Sequence, residues 1–90
     1  MSLLKRIVLD VLKPHQPSIL EFANTIAKQH NHCRVKITVT EVDEKTETTI
    51  VIIEGGDIPY SAIEESITNL GGSIHSIDEV EVSNDDTDGV

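Results

Sequence analysis

A histidine, a serine and an aspartate lie close together near the end of the chain, as His75, Ser76 and Asp78. These are the residue types of a nucleophilic relay, in which the imidazole takes the serine proton and the carboxylate orients the imidazole. The surrounding stretch GSIHSIDEVEV has the composition of a β-strand, and adjacent side chains of a strand point to opposite faces. Ser76 should therefore share a face with Asp78 and not with His75. We expect no catalytic relay within this strand unless a bulge intervenes.

Asp10, His15 and His75 form a second set of candidates, for ligand binding. Asp10 interrupts the apolar run IVLDVL, and a carboxylate on a central strand costs free energy unless it is paired, protonated or metal-bound. If the last strand runs antiparallel beside the first, His75 comes near His15, and Asp10 lies across from Ile77 and Asp78. The alternative is structural: Asp10 accepts hydrogen bonds or meets a basic residue at a subunit boundary, and the histidines are satisfied within the fold. Histidine titrates near neutrality, which leaves a pH response open.

Metal binding is a further possibility at two places. Asp78 and Glu79 are weak candidates to supply oxygens to calcium or magnesium, although adjacent carboxylates also suit a solvated edge and lack the spacing of a calcium loop. His30, His32 and Cys33 have the chemistry of a transition-metal site. One local cluster without a second pair of ligands more often indicates a loop.

Composition excludes several functional classes. The chain has 90 residues and a net charge of -9, so it fits one domain and repels nucleic-acid phosphates. Phe22 and Tyr60 are its only aromatic residues, too few for stacking on single strands. A single cysteine excludes an intrachain disulfide and indicates a reducing compartment. No apolar run is long enough to span a membrane, and the apolar N-terminal segment is interrupted by charges, so a cytoplasmic protein is expected.

Hydrophobic periodicity predicts six elements. Alternating or continuous β-branched runs indicate strands, and apolar residues at three- and four-residue spacing indicate helices. Gly71 and Gly72 should cap the second helix, and the uneven spacing of apolar residues in the last strand predicts a bulge near Ile77 and Asp78. The predicted elements are a strand at 5–13, a helix from Pro17 to near Gln29, strands at 33–40 and 47–54, a helix at 59–70 and a strand at 73–82.

This order, βαββαβ, predicts an α+β fold, a ferredoxin-like plait with a four-stranded antiparallel sheet and two helices on one face. The domain should occupy residues 1–82, followed by an acidic C-terminal tail at 83–90. We expect the first and third strands to lie parallel at the centre, with the second and fourth at the edges.

The two central strands carry apolar residues on both faces. In the first, Ile7, Leu9 and Val11 alternate with Val8 and Leu12. The third repeats the pattern in IVII at 50–53. Two helices cannot cover both sides of a sheet, and a contiguous apolar patch is unusual on so small a domain. Something must cover the open side, and a second copy of the chain is the simplest candidate.

Four segments carry a resemblance to a known family: IVLDVLKPH, VTEVDEKTET, the EGG turn and LGGSIHSIDEV. Together they resemble an archaeal family known as domain of unknown function two-hundred-eleven, over most of the chain from about Arg6 to Val82. The resemblance implies a ferredoxin-like plait that forms ring-shaped homo-oligomers, and it implies no reaction. The tail SNDDTDGV and the HNH loop depart from the family pattern, so no function is carried over to them.

These observations favour a homo-oligomeric binding or regulatory module that takes a small ligand or a divalent cation at its subunit boundaries. The alternatives are a scaffold for another protein and, less favoured, an enzyme that uses Asp10, His15 and His75. No nucleic acid or membrane partner is expected.

Overall fold

The fold contains the six elements that the sequence predicts, in the same order. A computed structural model describes residues 2–29 and 31–84. The elements are β1 Leu3–Pro14, α1 Ile19–Ala27, β2 Arg34–Val42, β3 Thr46–Glu54, α2 Tyr60–Asn69 and β4 Ser73–Ser83. The last strand reaches one residue into the predicted tail, and residues 85–90 lie outside the described part. Neither helix is long and apolar enough to cross a membrane.

The four strands form one antiparallel sheet in the order β2-β3-β1-β4. The predicted plait is confirmed, but the predicted parallel pairing of β1 and β3 is wrong, because the two strands are antiparallel. The physical reason lies in the connections. The crossover through α1 returns β2 in the direction of β1 with room for one strand between them, and the tight β2–β3 hairpin then fills that gap with a strand of opposite direction.

Both helices pack on the same face of the sheet. Alternate residues of β1 and β3 are buried on that side together with the apolar residues of the helices. One hydrophobic core results, formed by Ile7, Leu9, Val11, Phe22, Ile26, Val51, Ile53, Ile58, Ile63 and Ile67. The opposite side, which we call the open face, carries the intervening residues of the strands.

Local side-chain chemistry sets the start of α1. Ser18 is the N-cap, and its hydroxyl oxygen accepts a hydrogen bond from the Glu21 amide at 3.2 Å. This bond satisfies one of the free amides of the first turn. The helix therefore begins at Ile19, two residues later than the sequence pattern around Pro17 predicts.

Glycines end α2 as predicted. Gly71 has a φ of 90°, a left-handed conformation that suits glycine. Its amide donates to the Thr68 carbonyl at 3.0 Å, and the Gly72 amide donates to the Ile67 carbonyl at 2.9 Å. These two bonds form a Schellman motif, which turns the chain directly into β4.

The last strand is irregular. Leu9 lies opposite Ile77 and Val8 lies opposite Glu79, so Asp78 is an extra residue in β4. This is the bulge that the sequence predicts. A second shift, between Asp10 and Val11 of β1, makes His75 another extra residue.

Candidate functional site

The three predicted ligand-binding residues occupy different parts of the fold. Asp10 is half-buried at the middle of β1 on the open face, opposite Ser76. His15 follows the end of β1 and makes its contacts with β3 and the β2–β3 turn. His75 is exposed in β4. The register brings Asp10 close to β4, one residue from the predicted position, while His15 contacts the hairpin on the other side of β1.

The serine of the HSxD segment is hydrogen-bonded to the aspartate. The Ser76 hydroxyl donates to Asp78 Oδ1 at 2.7 Å. Within residues 2–29 and 31–84, His75 makes no side-chain hydrogen bond. The serine proton is directed to the carboxylate, and no histidine among the described residues is hydrogen-bonded to the serine.

The predicted metal ligands of β4 already have protein partners. Asp78 accepts the Ser76 hydroxyl, and Glu79 Oε2 accepts a hydrogen bond from Arg6 Nε at 2.5 Å. In the described part of the chain, no three His, Cys, Asp or Glu side chains are grouped to hold a metal ion. Calcium or magnesium binding at Asp78 and Glu79 stays a prediction.

Only part of the candidate transition-metal site in the HNH loop lies among the described residues. His30 lies outside the described residues, and His32 adopts a φ of 67° on an exposed turn. Partial burial of Cys33 raises the pKa of its thiol, and transition-metal binding at this cluster stays a prediction.

A buried lysine lies at the end of β1. The Lys13 side chain has no exposed surface, and its Nζ donates to the Pro14 carbonyl at 2.6 Å and to Glu47 Oε1 at 3.1 Å. The same ammonium lies 5.6 Å from the centre of the Phe22 ring, within the range of a cation–π interaction. Lys13 and Glu47 face each other across β1 and β3, so the sheet register itself supplies the carboxylate that this buried charge requires.

His15 completes this cluster and connects it to the β2–β3 turn. Its Nδ1 lies 3.0 Å from Glu47 Oε2, and its Nε2 lies 2.8 Å from the Asp43 carbonyl and 3.1 Å from the Glu44 carbonyl. Both ring nitrogens face acceptors only, so the contacts are complete when both carry protons. The hydrogen bond to Glu47 is the main reason that the pKa of His15 is raised above 6.5. We call Lys13, Glu47 and His15 the hairpin clamp.

The hairpin clamp makes stability depend on pH in a defined direction. The raised pKa of His15 means that its contribution is complete below 6.5 and is lost as pH rises through the folded-state value. The pKa of Glu47 is lowered below 4.5, chiefly by His15 and then by Lys13, so its contribution is complete above 4.5 and is lost as pH falls through the folded-state value. The contact between His15 and Glu47 should therefore contribute most between pH 4.5 and 6.5.

Urea unfolding across this pH range tests the clamp. The difference in unfolding midpoint between the wild type and His15→Gln should be largest between the two ordinary pKa values and should shrink above the raised pKa of His15. A difference that stays constant at every pH would show that the imidazolium does not stabilise the fold.

The sequence analysis placed His15 near His75, whereas in the fold it contacts Glu47. It did not identify Lys13 or Glu47 as part of a site. A signal was available: the predicted first strand ends at Lys13, one residue before Pro14, and the predicted third strand begins at Glu47. Once the two strands are aligned, the cation and the carboxylate come opposite each other. The antiparallel direction is required for that alignment, and the expected parallel pairing hid it.

A row of alternating charges crosses one end of the open face. Arg34 Nη2 donates to Glu54 Oε1 at 2.6 Å, and Arg6 Nη1 donates to Glu54 Oε2 at 2.6 Å. Arg6 then reaches Glu79 through its Nε. Arg34, followed by Arg6, lowers the pKa of the Glu54 carboxyl. We call this the charged row.

A shallow pocket of about 490 Å³ opens beside the charged row. Both signs of charge line it, through Lys5 and Arg34 on one hand and Glu54 and Glu81 on the other, together with the Gly55–Gly56 turn. Its chemistry suits a small polar ligand that carries both charges or neither.

The centre of the open face is apolar. Val8, Ile50 and Ile52 are half-buried there, and Leu12 is 40% exposed. The predicted apolar residues on both faces of β1 and β3 are therefore present in the fold. Among the described residues, no helix or loop covers this side.

Comparison with known proteins places the chain in a family. It matches the family described as uncharacterized ArCR, domain of unknown function 211, over residues 5–86. An uncharacterized protein of Methanocaldococcus jannaschii, MJ0319, is 49% identical over 80 residues, which are 89% of this chain and 82% of that protein. The match covers nearly the whole fold, including the strands that carry the hairpin clamp and the open face. The chain belongs to the domain-of-unknown-function-211 family.

Proposed function

We propose that the protein is a homo-oligomeric binding or regulatory module in which a second copy of the chain covers the open face. One observation carries the proposal: Val8, Leu12, Ile50 and Ile52 form an apolar centre on the side of the sheet that the helices leave bare. Contiguous apolar patches on small domains mark interaction surfaces.

Burial of the apolar centre would contribute favourably to such a contact. Removing a few hundred Å² of apolar surface from water contributes several kcal/mol, at about 25 cal/mol per Å². Loss of translational and rotational freedom offsets part of it. Two acidic chains of net charge -9 also repel each other, so local charge pairs must bring the open faces together.

The larger assembly is proposed to be a ring, as the family resemblance implies. A contact that pairs two open faces closes on itself, so a ring needs a second contact between such pairs elsewhere on the surface.

We further propose that a small polar ligand or a divalent cation binds where subunits meet. The mixed-charge pocket supports this, because it shares Arg34 and Glu54 with the charged row at the border of the open face. Asp10 supplies a half-buried carboxylate on the same face. A common active site for Asp10, His15 and His75 is not proposed, since both ring nitrogens of His15 are bound by Glu47 and the hairpin.

Native mass spectrometry of the wild type, with and without a chelator, tests the assembly and any bound ion together. We expect two or more copies in every species. Ile52→Lys should yield folded protein in smaller assemblies than the wild type, because it places a charge in the apolar centre of the open-face contact. Leu20→Lys is the matched control: Leu20 is 69% exposed on α1, away from the open face, and its variant should assemble normally.

Circular dichroism of Ile52→Lys must show a wild-type spectrum for the result to count. A wild type that stays monomeric at high concentration would overturn the proposal and favour the alternative, a scaffold whose open face receives another protein.

A further inference from the structure

We propose that two copies stack open face to open face about a two-fold axis parallel to the strands, so that β2 of each copy lies over β4 of the other. The inference deepens the proposed function and rests on it. The supporting observation is the order of charges across the sheet. When a second copy is laid over the first with its strand order reversed, positive residues of one copy lie over negative residues of the other.

The first row across the sheet follows from the strand register. Arg34 lies opposite Glu54, Glu54 opposite Arg6, and Arg6 opposite Glu81. From β2 to β4 the signs are therefore positive, negative, positive, negative. A two-fold rotation about an axis along the strands reverses this order, so every cation of one copy faces an anion of the other.

The second row repeats the complementarity with an apolar middle. Lys36 lies opposite Ile52, Ile52 opposite Val8, and Val8 opposite Glu79. Reversal puts Lys36 over Glu79 of the second copy and Ile52 over Val8 of the second copy. Val8 and Ile52, two of the four residues of the apolar centre, thus cover each other, and ion pairs form at both edges.

The third row contains a mismatch. Thr38, Ile50, Asp10 and Ser76 follow one another from β2 to β4. Reversal places the two hydroxyl residues together but puts Asp10 against Ile50 of the second copy. The match is therefore strongest at the end of the sheet that holds the charged row.

The other two-fold stack is disfavoured by the same charges. An axis in the plane of the sheet but perpendicular to the strands would place β2 over β2 and β4 over β4. The cationic edge with Arg34 and Lys36 would then meet its own copy, as would the acidic edge with Glu79 and Glu81. Like charges facing each other suppress such pairings.

Charge reversal at one predicted contact tests the stack. Lys36→Glu and Glu79→Lys should each weaken association, by about tenfold or more, because two contacts per pair become repulsive. The equimolar mixture of the two variants should associate again, since both contacts between unlike variants become attractive. The double variant should also recover, and Lys45→Glu, which makes the same charge change in the exposed hairpin turn, should associate like the wild type.

The mixture separates this contact from effects within one chain. Glu79→Lys also removes one of the two carboxylate partners of Arg6, but mixing cannot repair that internal loss. Recovery in the mixture therefore reports a contact between copies. Analytical ultracentrifugation gives the dissociation constants of all five samples.

Crosslinking separates stacked faces from edges joined side by side. Val8→Cys in a Cys33→Ser background should be joined to a dimer by a short bifunctional maleimide. Edges joined side by side would hold the two Val8 positions at least about 14 Å apart, which is three strand spacings of roughly 4.8 Å when β4 meets β4. Leu20→Cys in the same background should not crosslink.

The outcomes distinguish the two proposals. Recovery in the mixture together with the Val8→Cys crosslink supports the stack. A wild-type oligomer without recovery or without the crosslink would overturn the stack and leave the proposed homo-oligomer in place. A monomeric wild type would overturn both.

Discussion

Replacing Glu47 with glutamine should lower the urea midpoint of unfolding strongly, because it leaves the ammonium of Lys13 buried without a carboxylate. The Lys13 side chain is fully enclosed, and Glu47 is the carboxylate opposite it. Breaking a buried ion pair by removing one partner is among the most destabilising single changes. Glu44→Gln is the matched control: it removes an exposed carboxylate in the adjoining turn and leaves intact the backbone carbonyl that His15 binds.

The double variant Lys13→Met, Glu47→Gln identifies the cause. Methionine has a similar volume and no charge, so it removes the need for a partner. The double variant should unfold at a higher urea concentration than Glu47→Gln alone. If Glu47→Gln unfolds like Glu44→Gln, Lys13 does not depend on this carboxylate and the hairpin clamp is not a unit of stability.

Phe22→Ala is expected to lower the free energy of unfolding by about 3–5 kcal/mol. The Phe22 ring is fully buried where α1 meets the sheet. It fills the space beside Gly72, where an added Cβ would lie 2.9 Å from its Cζ, and it faces the Lys13 ammonium. Alanine would leave a cavity under the start of β4 and remove the aromatic face beside a buried charge.

Leu20→Ala, two positions away on the same helix, separates burial from helix propensity. Leu20 is 69% exposed, so its truncation should change the free energy of unfolding by no more than about 0.5 kcal/mol. Equal losses in the two variants, measured by urea titration, would contradict the packing of α1 described above.

The sequence predicts the elements well because their signals are local. The six segments, the glycine cap of α2 and the bulge at Asp78 all depend on residues close together in the chain. The direction of β3 relative to β1 does not. It follows from the geometry of a crossover and a hairpin, and an antiparallel centre has the same apolar pattern on both faces as a parallel one.

In the candidate site, too, features set by local sequence were predictable, and features set by contacts between distant segments were not. The apolar open face was predictable because alternation within β1 and β3 assigns residues to faces. The partners of His15 were not, because Glu47 and the turn carbonyls reach it only through the folded hairpin. A histidine near a strand end has the same sequence pattern whether it binds a ligand or forms hydrogen bonds with a neighbouring turn.

The two bulge residues of β4, His75 and Asp78, affect the tendency of the sheet edge to aggregate. This strand is long and lies at the sheet edge, and Ile77, Val80 and Val82 are each at least 50% exposed. A flat edge of that composition would template fibril growth. His75 and Asp78 bend it out of regular spacing, so an incoming strand cannot keep its hydrogen bonds in step. Deleting Asp78 would straighten the edge and favour ordered aggregation.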